Sequence, residues 1–494
     1  MSRIPLPRLR ISLPRLRMPR PPLPLTAATI LLLLGLPLVG LLRLPRPQAQ
    51  GLEKLLSAAS LVQSFPPSPD RPVPALWQER LGAGLANSLW RAQNRTWWQF
   101  WGVHSDVPPY LALPATGVLS GPPASLPQNA LRLDDVVVLA PDALSLRLLQ
   151  DRLLPQQRRS RGLQGRCADL LRRDQAVFWD PGALAVMVGP LAPLLQEFQE
   201  GCLRLELDPL GLRWQGEAAS VDGVLLPLPA RAPLADVPLQ PPLPADRLLE
   251  LEGDSLAPLL RGLLSRQLIR EPLSRTYGLD KRRQELLRRA PFRLRLRPLP
   301  KGPFQAALEL QLELGGERPA WQGLLRDLAR SLGQQGLQGQ APQPALAEQP
   351  AQVEEPAQAE EPAPAEQPAQ PKQPPKPVAP GDPLRAIDWR RADGTVVGGW
   401  RWLQAVDGRP QLLFFLGPPP PVAAPMGEET LRPNLGELRL RARPTALEAA
   451  GLLPPQLPSL LRRSEQLWVE ASPPTGLDPS LPLSRLTGRL QVRR

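Results

Sequence analysis

Phe292-Arg293-Leu294-Arg295-Leu296-Arg297 is answered ten residues later by Ala307-Leu308-Glu309-Leu310-Gln311-Leu312-Glu313-Leu314. Both runs alternate apolar and polar residues with a period of two, which sends leucines to one face of a strand and charges to the other. Paired as a hairpin, they set arginines beside acids on the solvent face, an attractive cross-strand arrangement. The building block is therefore an antiparallel pair with one greasy face.

The same grammar recurs. Arg204–Leu207 and Leu212–Gln215 flank Asp208-Pro209-Leu210-Gly211, a turn tetrad with proline at its second position. Trp400–Val406 and Gln411–Leu416 flank Asp407-Gly408, a third hairpin. Between the hairpins lie strand-then-helix units. Leu131–Leu139 leads through Pro141-Asp142 to Leu144, Leu148 and Leu149, and Leu248–Glu252 leads through Asp254-Ser255 to Leu256, Leu259, Leu260, Leu263 and Leu264. Leu438–Ala442 leads through Pro444-Thr445 to a helix over Thr445–Leu453. Each time an Asp, Ser or Thr stands where a helix needs an acceptor for its free N–H groups. The fold class that follows is α+β, mainly antiparallel sheets with packed helices.

Trp77, Leu81, Leu85, Leu89 and Trp90 recur at near-helical spacing, followed by Trp97, Trp98, Phe100 and Trp101. Two readings stand. The indoles form a belt at lipid headgroups, or they are the buried face of a core helix.

Residues 341–381 are almost only Ala, Pro, Gln, Glu and Lys, with a six-residue repeat starting at Glu348, Glu354, Glu360, Glu366 and Lys372. Such a stretch has no apolar face to bury and reads as a disordered linker. Extended as polyproline, it would reach on the order of 100 Å. It divides an α+β region, 47–340, from a C-terminal α+β module, 382–494, expected to fold alone and to reach an envelope protein partner.

The N-terminus sets the expected location. Residues 1–24 form a basic, proline-rich tail with six arginines, and 25–42 are apolar and uncharged. About 20 such residues span a bilayer as a helix. Six arginines before the run against Arg43 and Arg46 after it place the tail in the cytoplasm. The bulk is then periplasmic or lumenal, on a single-pass inner (plasma or thylakoid) membrane protein whose first partner is the lipid bilayer. A cleaved signal peptide has the same basic-then-apolar pattern. Arg43, Arg46 and Pro47 beside the best cleavage site at Ala49 weigh against cleavage.

The formal charge is +13, but eight of those charges lie in residues 1–46, leaving +5 beyond them. With arginine far outnumbering lysine and 69 prolines, the basicity does not point to nucleic acid, and none is expected as a partner. Cys167 and Cys202 are the only cysteines. In an exported chain the pair is a disulfide candidate, worth about 3–4 kcal/mol by loop entropy; two buried free thiols are the alternative.

The run Val136-Val137-Val138-Leu139-Ala140-Pro141-Asp142-Ala143-Leu144, the basic Arg158-Arg159-Ser160-Arg161 and a later strand-and-turn region carry a resemblance. Over Leu131–Ala218 the chain resembles an uncharacterised family of cyanobacterial membrane-anchored proteins with a domain of unknown function. The resemblance implies one N-terminal anchor and an exported α+β body. It implies no catalytic residue.

Most chemistry is missing from the sequence. His104 is the only histidine, so no histidine-pair metal site exists. No Gly-Lys occurs, so there is no Walker A loop, and Gly82-Ala83-Gly84 is followed by Asn87 where a dinucleotide loop needs glycine. No catalytic, cofactor-binding or metal-ligating residue is assigned. The paired acids Asp134-Asp135, Glu354-Glu355 and Glu428-Glu429 leave carboxylate chemistry formally open.

Two function classes follow: a membrane-anchored, non-enzymatic binding or scaffolding protein of the cell envelope or thylakoid, or an envelope hydrolase using paired carboxylates. The anchor, Glu-Pro/Lys-Pro spacer and C-terminal region also resemble transducers of the TonB type, apart from the long region before the spacer. Protease added to spheroplasts should degrade the body; full protection with the membrane intact would reverse the topology.

Overall fold

The computed structural model describes residues 49–102, 108–118, 127–153, 162–220, 241–299, 304–315, 318–341, 386–405, 408–420, 438–453, 457, 459–472 and 483–492. The basic tail, the apolar run 25–42, His104, Arg158–Arg161, Glu428-Glu429 and nearly all of the 341–381 segment lie outside them. No helix among the described residues is long and apolar enough to cross a membrane.

The first strands are β1 (Leu61–Phe65), β2 (Trp97–Trp101), β3 (Tyr110–Pro114), β4 (Ala130–Leu133), β5 (Val136–Leu139), β6 (Ala176–Trp179), β7 (Glu200–Asp208) and β8 (Gly211–Ala219). After them come β9 (Leu249–Gly253), β10 (Phe292–Pro298), β11 (Ala306–Glu313) and β12 (Gln338–Gln340). The last are β13 (Ile387–Arg390), β14 (Val396–Gln404), β15 (Pro410–Leu416), β16 (Leu438–Ala442), β17 (Ser464–Ser472) and β18 (Leu483–Val492). They belong to a single 18-stranded sheet. Every pairing is antiparallel, and they run in one unbranched series: β4-β5-β3-β2-β1-β6-β7-β8-β18-β17-β16-β9-β10-β11-β15-β14-β13-β12.

That order overturns the expected division at 341–381. β13 pairs with β12, β15 with β11, β16 with β9 and β18 with β8. The 382–494 strands thus lie in two blocks, β18-β17-β16 and β15-β14-β13, each flanked on both sides by strands from before the segment. Residues 49–494 make one compact unit.

The helices in chain order are α1 (Leu52–Leu56), α2 (Ala75–Leu81), α3 (Ala83–Arg91), α4 (Ala115–Val118), α5 (Ala143–Leu153), α6 (Gly162–Arg173) and α7 (Pro181–Val188). They continue as α8 (Ala257–Leu264), α9 (Gln267–Arg275), α10 (Lys281–Arg288), α11 (Arg318–Gln334), α12 (Pro444–Ala449) and α13 (Ser459–Arg462). Because directly paired residues share a face, two continuous faces can be traced. One is mainly apolar, with Gln63, Gln99 and Arg132 among its exceptions. α2 and α3 cover it at β2, β3 and β5, α7 with the 3₁₀ segment Gly189–Phe198 covers it at β6–β8, and α8, α10 and α11 cover it at β9–β15. α12 closes it over Leu248 and Ala442.

The opposite face changes character along the sheet. From β4 to β7 it is apolar, and Val62, Phe100, Val138 and Phe178 pack under α1, α5 and α6. Cys167 of α6 is disulfide-bonded to Cys202 of β7, their Cα atoms 5.6 Å apart, so helix and strand are joined where this greasy stretch ends. Beyond it the face becomes a ladder of arginines and acids.

Several local expectations change. The Leu131–Leu139 strand is a tight hairpin, β4–β5, turning at Asp134-Asp135 with Asp134 at φ +50°. The tryptophan run is not one helix: Gly82 at φ +75° separates α2 from α3, and Trp97–Trp101 is strand β2. Trp77, Trp90, Trp97 and Trp98 are buried, the first three edge to face in one cluster, so these indoles serve the core and not a lipid belt. α12 begins at Pro444, ahead of Thr445, which therefore does not cap it. Asp142 and Ser255 do accept the N–H groups of Ser145 and Ala257.

Expressed alone, residues 382–494 should show no cooperative thermal transition by circular dichroism, because four of their six strands lose a hydrogen-bonded neighbour. A sharp, reversible transition would restore the independent module.

Candidate functional site

β9 reads Leu-Glu-Leu-Glu-Gly and lies between β10, Phe-Arg-Leu-Arg-Leu-Arg-Pro, and β16, Leu-Arg-Leu-Arg-Ala. Alternation sends the leucines of all three strands under the helices and the charges to the opposite face. The registers then align Glu250 with Arg295 and Arg441, and Glu252 with Arg293 and Arg439. The Glu250–Arg295, Glu250–Arg441 and Glu252–Arg293 ion pairs follow these alignments, while Arg439 pairs with Glu470 of β17.

Glu250 is the centre. Its carboxylate accepts hydrogen bonds from Arg295 Nε at 2.9 Å, from Arg247 Nη1 at 2.7 Å and from Arg441 Nη2. Glu252 pairs with Arg293, Glu309 with Arg297 at 3.2 Å, and Asp388 with Arg401. Glu250 is 1 % exposed. Arginine is longer than glutamate, and strands lie only ~4.8 Å apart. The guanidinium groups therefore reach over neighbouring strands and roof the carboxylates. Burial alone would push the Glu250 pKa up, but Arg295, Arg441 and Arg247 outweigh it and hold the carboxyl at about 2.

The sequence places the hairpin residues Arg293, Arg295, Arg297 and Glu309 on a solvent face. They do share a face, but Glu250, Glu252, Arg293 and Glu309 are buried, because each guanidinium shields the acid beside it. Arg293 and Arg295 also pair with Glu252 and Glu250 of β9, the strand on the other side from their hairpin mate β11.

The four acids buried in β9, β11 and β13 are each held by arginine. Asp134 accepts the Gly51 N–H at 2.7 Å, and Asp135 lies 3.7 Å from Arg172. Burial raises the pKa of Asp180 and of Glu53, the former against the opposing pull of the Ala183 and Gly182 N–H groups. Asp180 is the cap of α7, accepting from Ala183 at 2.9 Å. No cluster of three or more metal-ligating side chains occurs among the described residues.

A second feature stands between β9 and β10, where the chain inserts α8, α9 and α10. Residues 254–291 hold nine basic and four acidic side chains, a net +5 equal to that of the whole chain beyond residue 46. A groove of about 780 Å³ is lined there by Arg261, Arg270, Arg275, Lys281 and Arg288, with Glu271 and Glu285 among its acids. Some cations are paired: Arg275 with Glu271 at 2.7 Å, Arg289 with Glu285 at 2.9 Å, and Arg261 with Glu197. Arg266, Arg270, Lys281 and Arg282 have no ion-pair partner among the described residues and are exposed. This surface was not singled out from the sequence, although the run Lys281-Arg282-Arg283 was a visible signal.

No protein-family model matches the chain, and no curated protein or solved structure shows significant similarity to it.

Replacing Glu250 with Gln leaves three arginines facing a neutral amide. The expected loss is about 3–5 kcal/mol of stability at neutral pH, the cost of unpairing a buried ion cluster. The pH sign is fixed by the lowered pKa. A carboxylate at about 2 in the fold and near 4.5 unfolded stabilises above 4.5, and that stability is lost as pH falls toward 2. Urea titrations should show this acid limb in the parent chain and a flatter one in E250Q; equal limbs would remove Glu250 from its central place.

Proposed function

We propose that the protein is a membrane-anchored, non-enzymatic binding or scaffolding protein of the cell envelope or thylakoid. The anchor rests on the basic tail and the apolar run 25–42. The observation that carries the non-enzymatic part is the state of the buried acids. Hydrolysis by a carboxylate pair needs one acid kept protonated near neutral pH and a second, free carboxylate across a cleft. Glu250 is held at about 2, the opposite of what a general acid requires, and Glu252, Glu309 and Asp388 are engaged by arginine.

The reading as a TonB-type transducer loses its main support. A spacer projects a module only if the chain beyond it is free to leave. Here β12 and β13, on either side of the 341–381 segment, are neighbours in the sheet, with Gln340 opposite Asp388. The partner surface is accordingly sought on the 49–494 unit, and the basic helical insert is the strongest candidate.

Full-length protein should remain in membranes after alkaline carbonate washing and should turn over no glycoside, peptide or ester substrate between about pH 4 and about pH 9, the span in which carboxylate acids and bases work. Turnover that disappears in a folded Glu252→Gln or Asp180→Asn variant would replace this reading with the hydrolase.

A further inference from the structure

α9, like α10, has no fully buried residue. Leu268 stands 91 % exposed on it, the most exposed of the large apolar side chains among the described residues. The same insert carries the exposed cations Arg266 and Arg270, each two residues from Leu268, and Lys281 and Arg282 at the start of α10. An exposed leucine on an insert rich in unpaired cations suits a bilayer interface. The apolar group enters the headgroup boundary while the cations meet lipid phosphates.

We infer that the α8–α10 insert docks on the surface of an anionic bilayer, with Leu268 as its apolar contact and Arg266, Arg270, Lys281 and Arg282 as its headgroup contacts. The inference rests on the membrane-anchored reading, which keeps the body close to a bilayer. Charge complementarity selects the occupant. The insert carries a net +5, concentrated on exposed side chains that lack an ion-pair partner among the described residues. An apolar protein partner would leave those charges unmatched, whereas an anionic leaflet offers a plane of phosphates that needs no specific fit. Docking then fixes one side of the sheet against the membrane and turns a tethered body into an oriented one.

The disulfide makes a site-specific test simple. Both native cysteines are oxidised, so Leu268→Cys adds the one free thiol. It is labelled with an environment-sensitive fluorophore in the full chain, which is held in nanodiscs of phosphatidylcholine alone or mixed with phosphatidylglycerol. A blue shift and rise in emission are expected only in the anionic discs, and should be lost in high salt. A label at Leu207, 82 % exposed beside the β7–β8 turn, should not respond. Arg270→Gln and Lys281→Gln, exposed positions away from the core, should each lower the docked-to-undocked ratio about fivefold, the equivalent of about 1 kcal/mol per basic residue at an anionic surface.

Emission at 268 that is indifferent to lipid charge, in protein that resists carbonate extraction, overturns this inference and leaves the anchored reading standing. Protein that leaves the membrane on extraction overturns the anchored reading instead. A response to soluble polyglutamate or heparin without one to anionic discs assigns the surface to an acidic macromolecule and also overturns the inference.

Discussion

Glu250 sits at the β9–β16 contact, the one pairing that joins the two parts of the sheet on either side of it. Ten of the pairings lie on one side of the β9–β16 contact and six on the other. Across that contact a single carboxylate accepts hydrogen bonds from Arg295 of β10 and Arg441 of β16. A buried ion cluster adds little net stability over a well-packed apolar one. Its value here is register. Sliding β9 by one residue would drive Glu250 and Glu252 under the helices. Sliding it by two, so that Glu252 faces Pro291, would keep the leucines inside but leave that carboxylate without its β10 guanidinium. Leucine alternation alone excludes the first error; the charges exclude the second.

The strands on the two sides of this seam mirror each other. β9 is followed by helices, then by β10 and β11 in adjacent order; β16 is followed by helices, then by β17 and β18. The two first strands meet antiparallel, so the central six strands have an approximate two-fold arrangement. Where the mirror ends, toward β7, the charged face gives way to the apolar one. Arg166 of α6 reaches Glu217 of β8 at 2.7 Å at this border, beside the disulfide. A covalent link and an ion pair thus hold α6 at the place where its apolar cover stops.

Local elements were legible because their causes are local. The 204–215 turn, the 292–314 hairpin and the 400–416 hairpin form about where alternation and turn residues put them. The strand-then-helix units at 248 and 438 are also present, and their charges met because Leu-Glu-Leu-Glu and Leu-Arg-Leu-Arg are complementary. What the sequence could not convey is which hairpin lies beside which. β16 pairs with a strand almost two hundred residues earlier, and β18 with one some 270 residues earlier. A proline-rich segment says nothing about which strands on either side of it pair, so the supposed module dissolved. Hidden for the same reason was the difference between a solvated charge and a roofed one: Arg295 and Glu309 look like surface residues until β9 supplies Glu250.

The β12–β13 pairing carries one more consequence. Whatever path residues 341–386 take, they start and finish within one interstrand spacing of each other, since Gln340 and Asp388 are partners. The segment is then a closed loop in the polymer sense, and its closure entropy grows only with the logarithm of its length. Doubling it would cost about 0.6 kcal/mol. Natural selection on folding is therefore nearly blind to how many six-residue repeats it holds. The repeat number can drift, and a foreign domain whose own ends lie close together can be spliced in at this edge with the sheet's strand order unchanged.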